Sequence, residues 1–207
     1  TIVQVIVPTA GSFNSNQVVC YNNAPTTFTE NVASIGSSYL QWKWQKSTDN
    51  AAWVTISGAT NATYTSGTLT QTTYFRRLST TVVGTTTCAT DTPGDTITVT
   101  VLNPSAGSSS GGEDICVGDN PSPILNASFG SAGGTYKWYT AVNFNNPVWV
   151  QIPGASDSSY DPPTGLTQTT YYKRETTLSS LGKTCAASTN SVTINVGPSV
   201  RLLGTRG

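Results

Sequence analysis

The sequence predicts an all-β chain built as two tandem sandwich modules. Three observations carry that prediction: an internal repeat near 96 residues, apolar residues alternating with polar ones at period two, and no sustained helical period. Pro8-Thr-Ala-Gly-Ser12 recurs as Pro104-Ser-Ala-Gly-Ser108, and Ile56-Ser-Gly-Ala-Thr-Asn-Ala-Thr-Tyr64 as Ile152-Pro-Gly-Ala-Ser-Asp-Ser-Ser-Tyr160, both at an offset of 96. Leu69-Thr-Gln-Thr-Thr-Tyr-Phe-Arg-Arg77 returns at 97 as Leu166-Thr-Gln-Thr-Thr-Tyr-Tyr-Lys-Arg174, and the cysteines keep step, Cys20 with Cys116 and Cys88 with Cys185.

Taken in order, residues 1–7 overlay the last strand of a module, with Val3 on Val99 and Val5 on Val101. Ile2, Val3, Val5 and Val7 are β-branched and uncharged, so this segment is expected either to pair within its own module or to add in trans to a neighbour's sheet edge. Leu40, Trp42 and Trp44 alternate with Gln41, Lys43 and Gln45, and Tyr136 and Trp138 repeat the pattern, giving a strand with one apolar face. Ser57-Gly58, Pro153-Gly154 and Pro93-Gly94 mark turns. Ile97, Val99 and Val101, then Val192, Ile194 and Val196, are the closing strands. About 96 residues with roughly seven short strands is the size of an immunoglobulin-type sandwich. The expected organisation is residues 1–7 as an N-terminal strand, 8–102 and 103–199 as Ig-like repeats, and 200–207 as a tail.

Composition removes several functions. Lys and Arg number 10 against 10 Asp and Glu, so a basic footprint for nucleic acid is missing. The chain has no His, which excludes a Ser-His-Asp triad and His-ligated metal sites. No apolar run reaches the 18 residues of a membrane helix, and five Trp, nine Tyr and five Phe argue against disorder. The opening Thr1 suggests a piece of a larger precursor. Four Cys without a CxxC pair point to disulfides in an oxidising compartment.

No side-chain constellation makes a catalytic site, and no cofactor is expected. Glu113, Asp114 and Asp119 form the only acidic cluster, on a loop without EF-hand spacing. The lysines that could activate a serine, Lys43 and Lys137 among them, fall on polar strand faces. Trp42, Trp53 and Tyr74, repeated as Tyr136, Trp149 and Tyr171, could make a sugar-stacking platform; Trp53 and Trp149, on short strands, are the better ligand candidates. Arg77 and Arg174 read as structural. Asn61 and Asn126 head glycosylation sequons, and Asp95-Thr-Ile97 fits a bacterial O-glycosylation motif.

The order of Cys, W-x-W or Y-x-W, "STDNAAWVTISGATNATY", "LTQTTYFRR", Cys and a closing "TITVTV" strand resembles the tandem Ig-like repeats of large Bacteroidetes surface proteins. That resemblance implies an extracellular, non-enzymatic adhesin or appendage segment, exported by the type IX route. Neighbouring repeats or subunits would be its partners, in a head-to-tail fibre, together with a surface glycan. The other reading is a carbohydrate-binding accessory module of a secreted enzyme. Of the three pairings open to four cysteines, Cys20–Cys88 with Cys116–Cys185 alone leaves the repeats equivalent, with the early cysteines just ahead of the second strand and the late ones in the hairpin before the last.

Overall fold

The computed structural model describes residues 11–13, 16–32, 40–83 and 85–198. The segment with Ile2, Val3, Val5 and Val7 and the tail at 200–207 lie outside the described residues. The chain forms two compact units that meet in sequence at Asn103–Pro104.

The first unit contains β1 (Ser12–Phe13), β2 (Gln17–Cys20), β3 (Glu30–Val32), β4 (Leu40–Ser47), β5 (Val54–Thr55), β6 (Thr73–Val83), β7 (Thr86–Pro93) and β8 (Ile97–Leu102). Its main sheet has the order β2-β8-β6-β4-β5, with β2 parallel to β8 and the other pairs antiparallel; β7 pairs with the outer half of β6. A small sheet of β1 and β3 lies apart from it. The second unit repeats the plan with β9 (Ser108–Ser110), β10 (Glu113–Cys116), β11 (Leu125–Ser128), β12 (Thr135–Ala141), β13 (Val150–Gln151), β14 (Thr170–Ser180), β15 (Lys183–Ser188) and β16 (Val192–Gly197). Its sheet runs β10-β16-β14-β12-β13, and β11 pairs β9. Among the described residues there is no helix. This is the larger sheet of an Ig-like sandwich, occurring twice in tandem.

Each core is built on one tryptophan. Trp44 is fully buried among Phe13, Phe28, Phe75, Ile97 and Val99, and Trp138 among Ile124, Tyr172, Val192 and Ile194. The alternation read at Leu40 to Gln45 appears as alternating exposure along β4. Where the first module has Phe75 the second has Tyr172, whose hydroxyl burial pushes up to about 12.

The repeated signature is the wiring around that tryptophan. Ile56 N–H donates to Trp44 O at 2.8 Å, Trp44 N–H to Ala59 O at 3.1 Å, and the Trp44 indole to Asn61 O at 2.9 Å. In the second module Ile152 N–H donates to Trp138 O at 2.8 Å and the Trp138 indole to Asp157 O at 2.9 Å. The turn depends on Gly58 and Gly154, both left-handed at φ 75 and 76, where a side chain would be strained. Tyr64 and Tyr160 bridge to Phe28 and Ile124 through paired backbone bonds and lie 5.5 Å from the tryptophan rings. In the second signature, Thr72 and Thr169 accept from Val101 and Val196 N–H, fastening the loop to the closing strand.

The cysteines depart from the expected pairing. Cys20 and Cys185 are each disulfide-bonded, whereas Cys116 is a free, exposed thiol, so the Cys116–Cys185 bridge is not formed. Register gives the reason. Cys116 ends β10 opposite Gly197, beyond the start of β14, while Cys185 follows the turn at Leu181–Gly182 beside the far end of β14. They are about eleven residues apart along the strand, roughly 35 Å, against a Cα–Cα limit near 7 Å. The same distance separates Cys20, opposite Leu102, from Cys88, beside Thr81 and Val82, so the expected Cys20–Cys88 bridge is corrected too. The early cysteines close a strand; they do not precede one.

Candidate functional site

The proposed aromatic platform does not assemble. In β6 the inward residues are Thr73, Phe75 and Arg77, so Tyr74 and Arg76 face outward. Trp42 belongs to the inner side, where the Arg77 guanidinium lies 5.3 Å from its ring and 4.7 Å from Phe13; Tyr136 stands likewise at 4.6 Å from Arg174. Trp53 and Trp149 stay outside both cores, half-buried, each faced by a cation. Arg76 lies 4.2 Å from the Trp53 centroid and donates from Nε to Gln45 Oε1 at 2.8 Å; Lys173 Nζ lies 4.6 Å from Trp149. Such exposed cation–π pairs contribute about 0.5–1 kcal/mol. They also occupy a face that a sugar ring would use.

Among the described residues, Arg77 and Arg174 are the only buried charged side chains. Both are fully buried. Arg77 donates to Ala62 O at 2.6 Å and forms an ion pair with Glu30. Arg174 has a neutral partner instead, donating to Asn126 Oδ1 at 2.7 Å and to the carbonyls of Ser158, Ala106 and Ser128. Burial lowers its pKa, opposed by Tyr136. The Ala106 carbonyl reaches it because Gly107, at φ 70, presses against Ser128, where a Cβ would meet the carbonyl oxygen at 2.3 Å. Sequence parity was the available signal: each arginine is two residues past a core aromatic. Asn126 is thus taken up by Arg174, which sets it apart from the exposed sequon residue Asn61.

The acidic cluster is spent locally. Glu113 accepts from Ser122 N–H and Oγ, Asp114 from Asn195 at 2.7 Å, and Asp119 from Cys116 N–H at 3.1 Å. Gln17, at the Glu113 position, holds Thr26 in the same way at 2.8 Å. Among the described residues no group of three His, Cys, Asp or Glu converges on a metal position.

A groove does recur. In the first module it measures about 520 Å³ and is lined by Lys46, Asp49, Tyr64 and Leu69; in the second about 470 Å³, with Val142, Val150, Tyr160 and Leu166. Val54, Tyr64, Leu69, Gln71 and Thr73 recur as Val150, Tyr160, Leu166, Gln168 and Thr170, whereas the charged Lys46 and Asp49 line the first groove and Val142 and Pro153 the second. Asp49 itself anchors a turn, accepting from Ala51 and Ala52 N–H at 2.9 and 2.8 Å and from Ser47 Oγ, and these bonds hold its pKa down at about 2. Asn143 makes the equivalent turn without a titrating group. The folded pKa is below the ordinary value of 3.8, so this contribution is present above pH 3.8 and is lost as pH falls through 2. Amide shifts of Ala51 and Ala52, followed by NMR, should therefore move in that window, while those of Asn145 and Asn146 stay still.

Residues 9–103 and 105–198 each match one family model, DUF8696, described as a domain of unknown function. No curated protein matches the chain. Solved structures that match include Sidekick-1 immunoglobulin domains 1-5 (13% identity, TM-score 0.40, 97% of this chain and 39% of that one) and domains 1-4 (15%, 0.43, 92% and 48%). Drosophila OTK extracellular domains 3-5 also match (9%, 0.42, 91% and 62%). The chain spans 39% to 62% of the lengths of these structures. With both repeats matched almost end to end, the chain belongs to the DUF8696 family and carries two consecutive copies of its domain.

Proposed function

We propose that this is a non-enzymatic structural or adhesive segment of an extracellular bacterial surface protein or filament, of the Bacteroidetes type exported by the type IX route. The observation that carries the reading is the fate of most of the repeated residues: Trp44 and Trp138, Arg77 and Arg174, the turn glycines and the loop threonines are spent on the framework. The disulfide-bonded cysteines suit an oxidising, extracellular setting. Partners of this reading are neighbouring modules or copies of the chain, arranged head to tail, and a surface glycan.

The outward Trp53 and Trp149 favour a second reading, a carbohydrate-binding accessory module of a secreted enzyme. A glycan array followed by tryptophan-fluorescence titration separates the two. The structural reading expects no sugar bound at micromolar concentration through these rings; micromolar binding abolished by Trp53→Ala or Trp149→Ala would replace it with the carbohydrate reading.

A further inference from the structure

The β12–β13 hairpin of the second module keeps the build of its counterpart and changes what it displays. Asn143 anchors the turn, as Asp49 does in the first module, accepting from Asn145 and Asn146 N–H at 3.1 and 3.4 Å. By the repeat offsets, Thr48, Asn50 and Ala52 stand where the second module has Val142, Phe144 and Val148, and only Val54 matches in kind, at Val150. Val142, Phe144, Val148 and Val150 are 57% to 74% exposed. The Phe144 ring is braced against Tyr171 at a centroid distance of 5.4 Å, so it is held out in a fixed place. The same hairpin contributes Val142 and Val150 to the groove of about 470 Å³, together with Pro163 and Leu166. Apolar side chains gathered on one exposed element mark a contact surface.

We infer that the second module pairs with the second module of another copy of the chain, Phe144 of each hairpin seated in the other's groove. Three observations select a second copy as the occupant. Residues 141–152 carry no charge, so two copies of the hairpin meet without like-charge repulsion, whereas a partner of different sequence is ordinarily matched by a charge pattern that this hairpin lacks. Knob and groove belong to one hairpin, which is what a two-fold contact needs, each copy giving what the other receives. Area agrees: at about 60–120 Å² for each apolar side chain, the four from each copy reach, with the groove walls, the region of about 1,000 Å² where a specific reversible dimer begins. The first module lacks the device, because Asn50 stands at the knob position and Lys46 and Asp49 line its groove. The contact closes at two copies, and it does not depend on the head-to-tail arrangement proposed above.

Sedimentation equilibrium tests the pairing, with free thiols such as Cys116 capped by iodoacetamide so that a disulfide between copies does not mimic it. The mass should rise from one chain toward two between about 10 μM and about 1 mM, the range of a weak interface. Phe144→Ser removes the knob and Val150→Lys blocks the groove; each should raise the dimer dissociation constant at least about tenfold while the ¹⁵N spectrum shows the fold retained. Mixed one to one, the two variants should associate more tightly than either does alone, since only the mixed pair keeps one knob facing one open groove. A chain still monomeric at about 1 mM, a dimer that both variants leave unchanged, association that continues beyond two copies, or a mixture no tighter than its parts would each overturn the pairing. So would spectral changes on dilution confined to Leu125 and Phe129, the exposed apolar side chains in and just beyond β11.

Discussion

Trp44→Ala should unfold the first module and leave the second intact, and Trp138→Ala the reverse. Each indole is fully buried, contacts most of its core and donates a hydrogen bond to the signature loop. Truncation empties a large cavity and removes that bond, a loss of about 3–5 kcal/mol, comparable to the whole stability of a small domain. Two-dimensional NMR reads the outcome directly, since the peaks of one module should collapse while the other's persist. The first module, with Phe13, Phe28 and Phe75 packed together, should tolerate the loss slightly better.

The arginines give the second large effect, with a different signature in each copy. Arg77→Met leaves the Glu30 carboxylate without its cation, and Glu30 is only 22% exposed. Breaking a buried pair from one side costs about 3–5 kcal/mol, less here because Glu30 reaches some solvent. Adding Glu30→Gln to that variant should recover part of the loss. Arg174→Met strips donors from Asn126 and from the Ser158, Ser128 and Ala106 carbonyls, of which Ala106 keeps the Thr176 hydroxyl, at about 1–3 kcal/mol for each group left unsatisfied and not additively. Changing Asn126 as well should recover little, because the carbonyls remain. Urea denaturation of the single and double variants measures both.

The fold was legible where local chemistry decides it. Period-two alternation located β4 and β12, and Ser57-Gly58 and Pro153-Gly154 located turns whose glycines are left-handed. The repeat also showed that Trp44 and Trp138 hold the same position. The cysteine pairing was not legible, because it depends on how far one strand slides along another, and β7 (TTCATDTP) and β15 (KTCAAS) carry no apolar pattern that fixes register. Equivalence of the repeats argued for bridges within modules, but Cys20 is bonded while its counterpart Cys116 is a free thiol, so the repeats are not equivalent in their cysteines. The arginine networks were half legible: parity places Arg77 and Arg174 inward, but their acceptors are mostly backbone carbonyls of Ala62, Ala106 and Ser158, which no side chain announces. The outward cations on Trp53 and Trp149 come from Arg76 and Lys173, adjacent in sequence to the buried arginines and separated from them only by strand parity.

The central claim is that the buried tryptophans Trp44 and Trp138 are pins of the framework and the outward Trp53 and Trp149 are not. Indole N–H exchange in ¹⁵N-tryptophan-labelled chain tests it most directly. Trp44 and Trp138, bonded to Asn61 and Asp157 carbonyls, should exchange only when their module unfolds, while Trp53 and Trp149 exchange within the dead time. Rapid exchange at Trp44 and Trp138, or protection confined to Trp53 and Trp149, would contradict the account.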